Sequence, residues 1–520
     1  MNRAAPTRRT LAIAALSGYA ESLGHRGASL SERALRSWET ASGSADSLAL
    51  RDLPTLRDRS ADLVRNEPLA AGAVQTQVDS VVGTGLRLRA TPRRGPLGLS
   101  RVEAEAWADE VETLWDAVKN HLDIERVSSW RQLLEMTFIG TVVRGDLLTI
   151  RRYRKRAGDA LGLKLQQVEP GRISNPRGAW DTDSLRAGVE KDADGAAVAY
   201  HVADRHPNDC LARRAGPTTW TRVPAFGPQS GEPLALLHLR RRDLGQTRGT
   251  PLFAPVIALF RRFGIFNDAY VEACIVNTML AVLITTPDDG FTDPMSLTAE
   301  SADAAAAGEI AEDEVKLGSG TIATLPHGSS ATIVDPKRPN DAYGAFVDTI
   351  LMQVGAALGL PFEVLTRRFQ SSYSAARAAL LEAWRTFYGW REWLSESLCA
   401  PVYGWVVAEA VSTGLLEAPG FFDSPLTRAA WLAHEWIGDA PGQLDELKEA
   451  RAAEIRLSLG ITTLQEETAS MTGGDWSRNH EQRAEEVRRR REDGLEGPSA
   501  ESLAEADAMI ERANAQEAGT

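Results

Sequence analysis

Gln246-Thr247-Arg248-Gly249-Thr250-Pro251-Leu252-Phe253-Ala254-Pro255-Val256, at residues 246–256 of a 520-residue chain, marks the place where the sequence pattern changes. Before it, period-two stretches follow helical ones; after it, helical spacing dominates. Pro251 and Pro255 stand where a helix would begin, and proline in a first turn removes an N–H that lacks an intrahelical partner anyway. The spacing predicts a helix from Pro251 to about Ile284, about 34 residues and about 50 Å long. That is long for a globular interior.

Upstream, residues 1 to about 50 are rich in Ala, Ser and Arg and read as a mobile arm. Thr7-Arg8-Arg9-Thr10-Leu11 before Ala12–Leu16 resembles a twin-arginine export signal. Its apolar core is only about six residues and no small-x-small site follows, so a basic helical or disordered arm is the reading kept. Helical spacing through Leu56, Leu63, Val64, Ala71, Val74, Val78 and Val81 predicts one helix, ended by Gly83 and Gly85. Further helices are predicted over Val102–Leu122 and Trp130–Val143. The period then changes, and Leu147–Tyr153, Leu163–Val168, Ala197–Val202 and Leu234–Leu239 read as strands.

Downstream, residues 286–335 read as a small α/β insert, an acidic Ala-rich helix followed by strands around Thr321–Leu325 and Ala331–Val334. A helix over Ala342–Leu358 is stopped by Gly359-Leu360-Pro361. Leu365–Ser374 is short and polar. A long helix from Ala375 to about Val411 carries Trp384, Phe387, Trp390, Leu394, Leu398, Val402 and Trp405 as its apolar stripe. The last third is helical and acidic, with a low-complexity tail after Arg491. The fold class expected is α+β, mainly helical, in several domains.

Hydrophobic residues make up 43% of the chain and charged residues 25%, ordinary values for a globular protein, so dominant disorder is excluded. Lys plus Arg is 58 and Asp plus Glu 71, a net charge of −13, which argues against wrapping nucleic acid through phosphate neutralisation. The acid is concentrated: 439–520 holds 19 acidic and 10 basic side chains, and 286–316 nine acids and one lysine. Nine acids cannot be buried without partners, so that insert must face solvent, a channel or another protein. Cys210, Cys274 and Cys399 are too few and too scattered for a disulfide framework or metal cluster, and suit a reducing compartment. No stretch reaches the ~20 apolar residues of a membrane span.

The search for catalytic constellations returns nothing. There is no G-x-x-x-x-G-K-[ST], no H-E-x-x-H, no G-x-S-x-G and no C-x-x-C. Gly318-Ser319-Gly320 precedes a strand and reads as a turn. His434 beside Glu435 reads as a capping or surface pair. No catalytic residue, metal or cofactor is therefore expected. Three cationic features remain. Arg151, Arg152, Arg154, Lys155 and Arg156 suit a solvated hairpin turn better than a DNA contact. Arg240, Arg241, Arg242 and Arg248 precede the long helix. Arg367-Arg368-Phe369-Gln370-Ser371-Ser372-Tyr373 lies between two helices, and its guanidinium and short polar groups can touch phosphates without reading bases.

The stretch at 246–256, followed by Asn267-Asp268-Ala269-Tyr270, resembles the start of the stem helix in lambda-type phage portal proteins. Gly359-Leu360-Pro361-Phe362-Glu363-Val364-Leu365-Thr366, then Tyr373-Ser374-Ala375-Ala376-Arg377-Ala378-Ala379-Leu380-Leu381-Glu382, is similar to that family's second signature. Pro401-Val402-Tyr403, Gly460-Ile461-Thr462-Thr463 and Gly474-Asp475-Trp476 extend the match in family order, over most of residues 60–480. Residues 1–50 and the tail after about 490 have no counterpart.

The resemblance implies the portal fold and a ring, dodecameric in assembled heads, at one capsid vertex. Double-stranded DNA would pass through it without sequence preference. Implied partners are further copies of the chain, the terminase large subunit, a head-completion or neck protein, and the major capsid and scaffolding proteins. The implied location is the virion, after assembly in the host cytoplasm. Laid on this sequence, the family's parts are an arm at 1–50, a wing of mixed α/β character at 51–250, stem helices at 251–284 and 338–360, and a small α/β clip at 285–337. A tunnel loop at 361–374, a wing–crown helix at 375–411, a crown at 412–490 and a tail at 491–520 complete the assignment. Arg367, Arg368, Gln370, Ser371, Ser372 and Tyr373 would then line the DNA channel. Asp288, Asp289, Glu312, Asp313 and Glu314 would dock partners at the clip. Arg367 and Arg368 could equally pair with acids of a neighbouring subunit. A largely acidic lining suits a conduit, because tightly held phosphates would stall the cargo. Composition alone would serve a soluble multidomain nucleic-acid-processing enzyme as well, and the acidic helical tail would serve a capsid scaffold. Mass in solution separates the three.

Overall fold

Ser100 and Ser129 begin two helices in the same way. Each hydroxyl accepts from the N–H three residues on, and Glu103 or Gln132 bonds back to the serine N–H. Such boxes satisfy two of the four donors every helix start leaves unpaired. The computed structural model describes residues 33–209, 217–279, 283–285, 330–332, 343–369, 372–442, 446–493 and 495.

Its first half holds α1 (Ala45–Ala49), α2 (Leu53–Asn66), α3 (Pro68–Val81), β1 (Arg87–Ala90), α4 (Arg101–Val118) and α5 (Trp130–Arg144). There follow β2 (Asp146–Tyr153), β3 (Leu163–Val168), β4 (Leu185–Arg186), β5 (Val189–Lys191), β6 (Ala197–Ala203), β7 (Trp220–Pro224) and β8 (Ala235–Leu239). The second half holds α6 (Ile257–Met279), β9 (Leu283–Thr285), β10 (Ser330–Thr332), α7 (Tyr343–Leu358), α8 (Phe362–Thr366), α9 (Tyr373–Leu394) and α10 (Ala400–Ser412). It closes with α11 (Pro425–Trp431), β11 (His434–Ile437), α12 (Glu446–Ser458), α13 (Leu464–Thr472) and α14 (Trp476–Glu492).

Two cores result. The larger is helical and joins α2 to α5 with α6, α7, α9 and α10. At its centre Trp115 meets Trp130 edge-on at 5.1 Å and Trp436 at 5.4 Å, so β11 is locked beside α4 although more than 300 residues separate them in sequence. The smaller core lies between two antiparallel sheets, β3-β2-β8 and β4-β5-β6-β7. Leu148 stands opposite Val168 and Leu237 in its own sheet, and with Ile150 packs against Ile173, Val189, Tyr200 and Val202. The opposite face of β2 lies on α5, where Leu147 fills the space left by Gly140. Buried on both faces, β2 can dispense with polar alternation, and it reads Leu147-Leu148-Thr149-Ile150.

His238 of β8 is 1% exposed, with Nε2 2.9 Å from Thr149 Oγ1. Burial pulls its pKa down to about 3. The unfolded chain takes up that proton near pH 6.5, so the contribution to stability is complete above that value and is lost as pH falls towards 3. The loss is about 1.4 kcal/mol per pH unit between those limits. Urea midpoints measured at about pH 7, 6 and 5 are expected to fall more steeply for the native chain than for His238→Gln. Parallel curves would refute the assignment.

The quoted stretch ties this unit to the helices. Arg248, 1% exposed, donates from Nε to Asp146 Oδ2 at 2.7 Å and from Nη2 to Oδ1 at 3.0 Å. Its remaining N–H groups reach the carbonyls of Pro170, Ile173 and Ala187 at 3.0, 2.8 and 2.6 Å. Asp146 also accepts from Arg57 of α2 at 2.8 Å and from the Gly249 N–H at 2.9 Å. Burial alone would raise the Asp146 carboxyl, but Arg248 and Arg57 more than offset it and hold it below the usual range. One residue earlier, the Thr247 N–H and hydroxyl both donate to Asp46 of α1, which Arg186 also contacts. Gly249 lies against Gly145: a Cβ on Gly249 would fall 1.8 Å from the Gly145 carbonyl oxygen.

Several expectations are corrected. The long helix starts at Ile257 and is described to Met279, 23 residues and about 35 Å. The Leu252 N–H is taken by the Val142 carbonyl of α5 at 2.8 Å, which holds 251–256 in turns. Ile284 belongs to β9, opposite Ala331 of β10. The helix predicted through Leu56 to Val82 is two helices, because Glu67 is extended ahead of Pro68. The helix predicted over Ala375–Val411 carries a π-turn at Ser395–Cys399, where Pro401 cannot return an N–H to the turn before it. The four strands expected in the first half are present as β2, β3, β6 and β8. The strand expected at Thr321–Leu325 and the acidic helix before it lie outside the described residues.

Candidate nucleic-acid interface

α7 ends as its sequence dictates. Gly359 takes φ +71, the Leu360 N–H bonds to Gly355 O at 2.8 Å, and Gln77 of α3 donates to the Leu358 carbonyl at 3.0 Å. The expected loop does not begin at Leu365. Phe362–Thr366 forms α8, and Val364 and Leu365 turn into the helical core. Two buried apolar side chains outweigh the polarity of their neighbours, so 362–366 leaves the expected loop and joins the helical core.

Arg367 ends α8 in the left-handed region, φ +55 and ψ 30, a position where glycine or asparagine is favoured. A side chain held there costs about 1 kcal/mol or more, which suggests a use for it. Arg367, Arg368 and Phe369 are exposed. Arg367 donates from Nη2 to Thr76 Oγ1 at 3.2 Å, and the Arg368 N–H to the Glu363 carbonyl at 3.1 Å. Neither arginine makes an ion pair among the described residues. Ser372 is exposed, its hydroxyl 3.2 Å from that of Ser374, and Tyr373 opens α9. Gln370 and Ser371 lie outside the described residues, as do Asp288, Asp289, Glu312, Asp313 and Glu314.

α6 and α7 are joined by aromatic stacking. Tyr270 and Tyr343 lie 4.1 Å apart and nearly parallel, Phe266 meets Phe346 at 5.0 Å, and the Tyr343 hydroxyl donates to Asn267 at 2.9 Å. Outward from that seam, Ile265, Val271, Ile275, Phe346 and Met352 are about half exposed.

The other cationic runs separate. Arg151 is half-buried and lies 5.5 Å from the Trp405 ring, Arg152 bonds Gln166 at 2.9 Å, and Arg156 bonds the Ile124 carbonyl. Arg154 and Lys155 are exposed, as expected of a hairpin end. Arg240 sits 4.4 Å above the Trp390 ring, while Arg248 is the buried hub already described. Sequence reasoning missed that role; its one signal was the pairing of Arg248-Gly249 with Gly145-Asp146 a hundred residues away. His434 is buried in part and meets Tyr403 edge-on at 5.0 Å. Among the described residues no His, Cys, Asp and Glu group could hold a metal, and no helix is long and apolar enough to cross a membrane.

Residues 31–391 match the family model described as "Phage portal protein, lambda family". Portal protein B of Escherichia phage lambda is 29% identical over 484 residues, 89% of each chain. The portal protein of Escherichia phage N15 is 28% identical over 502 residues, 93% of each. Among solved structures, the chain is similar to one from the neck of a native GTA particle computed with C12 symmetry, at a TM-score of 0.44 and 11% identity, covering 81% of this chain and 94% of that one. A chain from the virion of the native gene transfer agent particle matches at the same score and identity, over 80% and 92%.

Proposed function

This chain belongs to the lambda family of phage portal proteins, and from that premise we propose that twelve copies close into a ring at one capsid vertex, through which double-stranded DNA is packaged and ejected. The observation that carries the reading is the match of residues 31–391 to the family model, supported by relatives aligned over about nine-tenths of their length. The chain supplies a passive conduit, and a separate terminase supplies the work of packaging. We assign α6 and α7 to the stem, the acidic 286–316 segment to a clip that docks the terminase and later a neck protein, and the outer surface to contacts with capsid and scaffolding proteins. Assembly takes place in the host cytoplasm. Arg367 and Arg368, with Gln370, Ser371, Ser372 and Tyr373, form the loop that meets DNA.

The ring follows from α6 and α7. A half-exposed apolar face repeated on every subunit is covered when each copy packs against the next, and a heterologous contact that closes by rotation gives a ring. Light scattering or native mass spectrometry is expected to find one large closed assembly, without ATP or metal. A stable monomer of about 56 kDa at high concentration would overturn the proposal. Changing Ile265, Val271 and Ile275 together to Glu is expected to leave helix content intact and abolish the ring, since each apolar side chain buried at the contact contributes about 1.5–3 kcal/mol. Rings that survive the triple change would remove α6 from the interface.

A further inference from the structure

α14 stands apart from the other described helices of more than two turns. Its start is anchored: Asp475 accepts from the N–H groups of Ser477 and Arg478, Trp476 stacks on His480 at 4.9 Å, and Arg478 reaches Glu112 of α4 at 2.7 Å. From Ser477 to Asp493 every residue is exposed, and the helix buries no side chain. Val487, 40% exposed, is the one large apolar residue on that length. A helix that is polar all round gains nothing from packing on its own subunit.

Its charge is equally uneven. Six arginines stand against four glutamates and Asp493, and four of the six are consecutive, Arg488-Arg489-Arg490-Arg491. At about 100° per residue, four consecutive side chains point to every side of the last turn. Arg488 and Arg489 share one carboxylate, Glu485, at 3.5 and 3.6 Å. Arg490 and Arg491 make no ion pair among the described residues. A helix C-terminus favours a cation by about 0.3–1 kcal/mol, and an ion pair along the helix by a few tenths. One or two arginines would secure both effects, so the remainder answers to something else.

We propose that the Arg488–Arg491 end of α14 is a second contact for duplex DNA, distinct from the loop at 367–372, gripping phosphates without reading sequence. The proposal rests on the portal reading, which supplies the polyanion. Duplex DNA presents a phosphate about every 1.7 Å of its axis, so a cluster of guanidinium groups finds several without needing a register. Arginine forks match phosphate oxygens two at a time. A protein partner is disfavoured by composition: protein interfaces are anchored by buried aromatic and apolar side chains, and this surface offers only Val487. The contact is weak at cellular salt, which lets DNA move past it.

The test uses full-length protein and a fluorescent duplex of about 20 base pairs, titrated by anisotropy between about 50 and 200 mM salt. Changing all four arginines to Gln is expected to weaken binding at least about tenfold at the low-salt end and to reduce the log–log salt slope by about 2 to 4. Changing all four to Lys should keep most of that slope. An unchanged slope in the Gln variant, or a Lys variant that loses as much as the Gln variant, would overturn the proposal. So would loss of binding to poly-glutamate with duplex binding intact, which would point to an acidic protein. Failure of the portal reading has a different signature, the absence of rings in the native chain.

Discussion

Asp146→Ala is expected to destabilise the protein by about 3–5 kcal/mol, a large fraction of what a domain has to lose. The magnitude follows from what remains. Arg248 and Arg57 would stay in a dry interior with no counter-ion, and the Gly249 N–H would lose its acceptor. Leaving a charge buried and unpaired costs far more than the net benefit of the pair. Arg248→Met should cost less than Asp146→Ala. It strands one carboxylate still held by Arg57, and carbonyls tolerate a missing donor better than an ammonium or guanidinium group tolerates a missing anion. Urea midpoints of the two variants check this. A cost under about 1 kcal/mol for Asp146→Ala would mean that water reaches the site.

The second large effect concerns packaging. Changing Arg367, Arg368 and Gln370 to Ala is expected to leave rings intact and to lower the yield of DNA-filled heads at least about tenfold, since one lost hydrogen bond to a charged group is worth about 1.5–3 kcal/mol. On the proposed assignment a ring would bring every subunit's copy to the axis, so small changes would be multiplied. Genome length in purified heads and particle counts after heating read the outcome. If these arginines instead pair with a neighbouring subunit, ring stability falls first and packaging follows. Intact rings with full, stable heads would remove the loop from the DNA path and leave the family assignment untouched.

Local signals were legible and distant ones were not. Strands β2, β3, β6 and β8 could be read because each is bounded by turn residues and carries β-branched or large apolar side chains. The helix starts at Arg101 and Trp130 sat behind Ser and a Glu or Gln three residues on. The break at Pro68 was hidden because the apolar spacing runs on through it. α8 was hidden because five residues are too few for a period to declare itself. Above all, β1 pairs with β11 across more than 340 residues, and Asp146 finds Arg57 and Arg248 at separations of 89 and 102. Nothing in a local window marks Arg248 as a core residue when Arg240, Arg241 and Arg242 stand just before it on the surface. For the site, the cationic segment was visible and its starting point was not, because burial of Leu365 is decided by α3 and α7. The projecting arginines of α14 were readable only as part of an acidic tail.

The contact between Gly145 and Gly249 has a consequence for heredity. Main chain meets main chain there, so no trimmed neighbour elsewhere can make room for a methyl group on either side. A lineage cannot exchange one glycine first and repair the other later, because both single steps meet the same wall. Phage populations copy themselves in vast numbers and test every single-nucleotide change many times over. The two codons should therefore stay fixed across descendants whose surface loops drift, and their constancy would record a want of space, with no bearing on DNA passage.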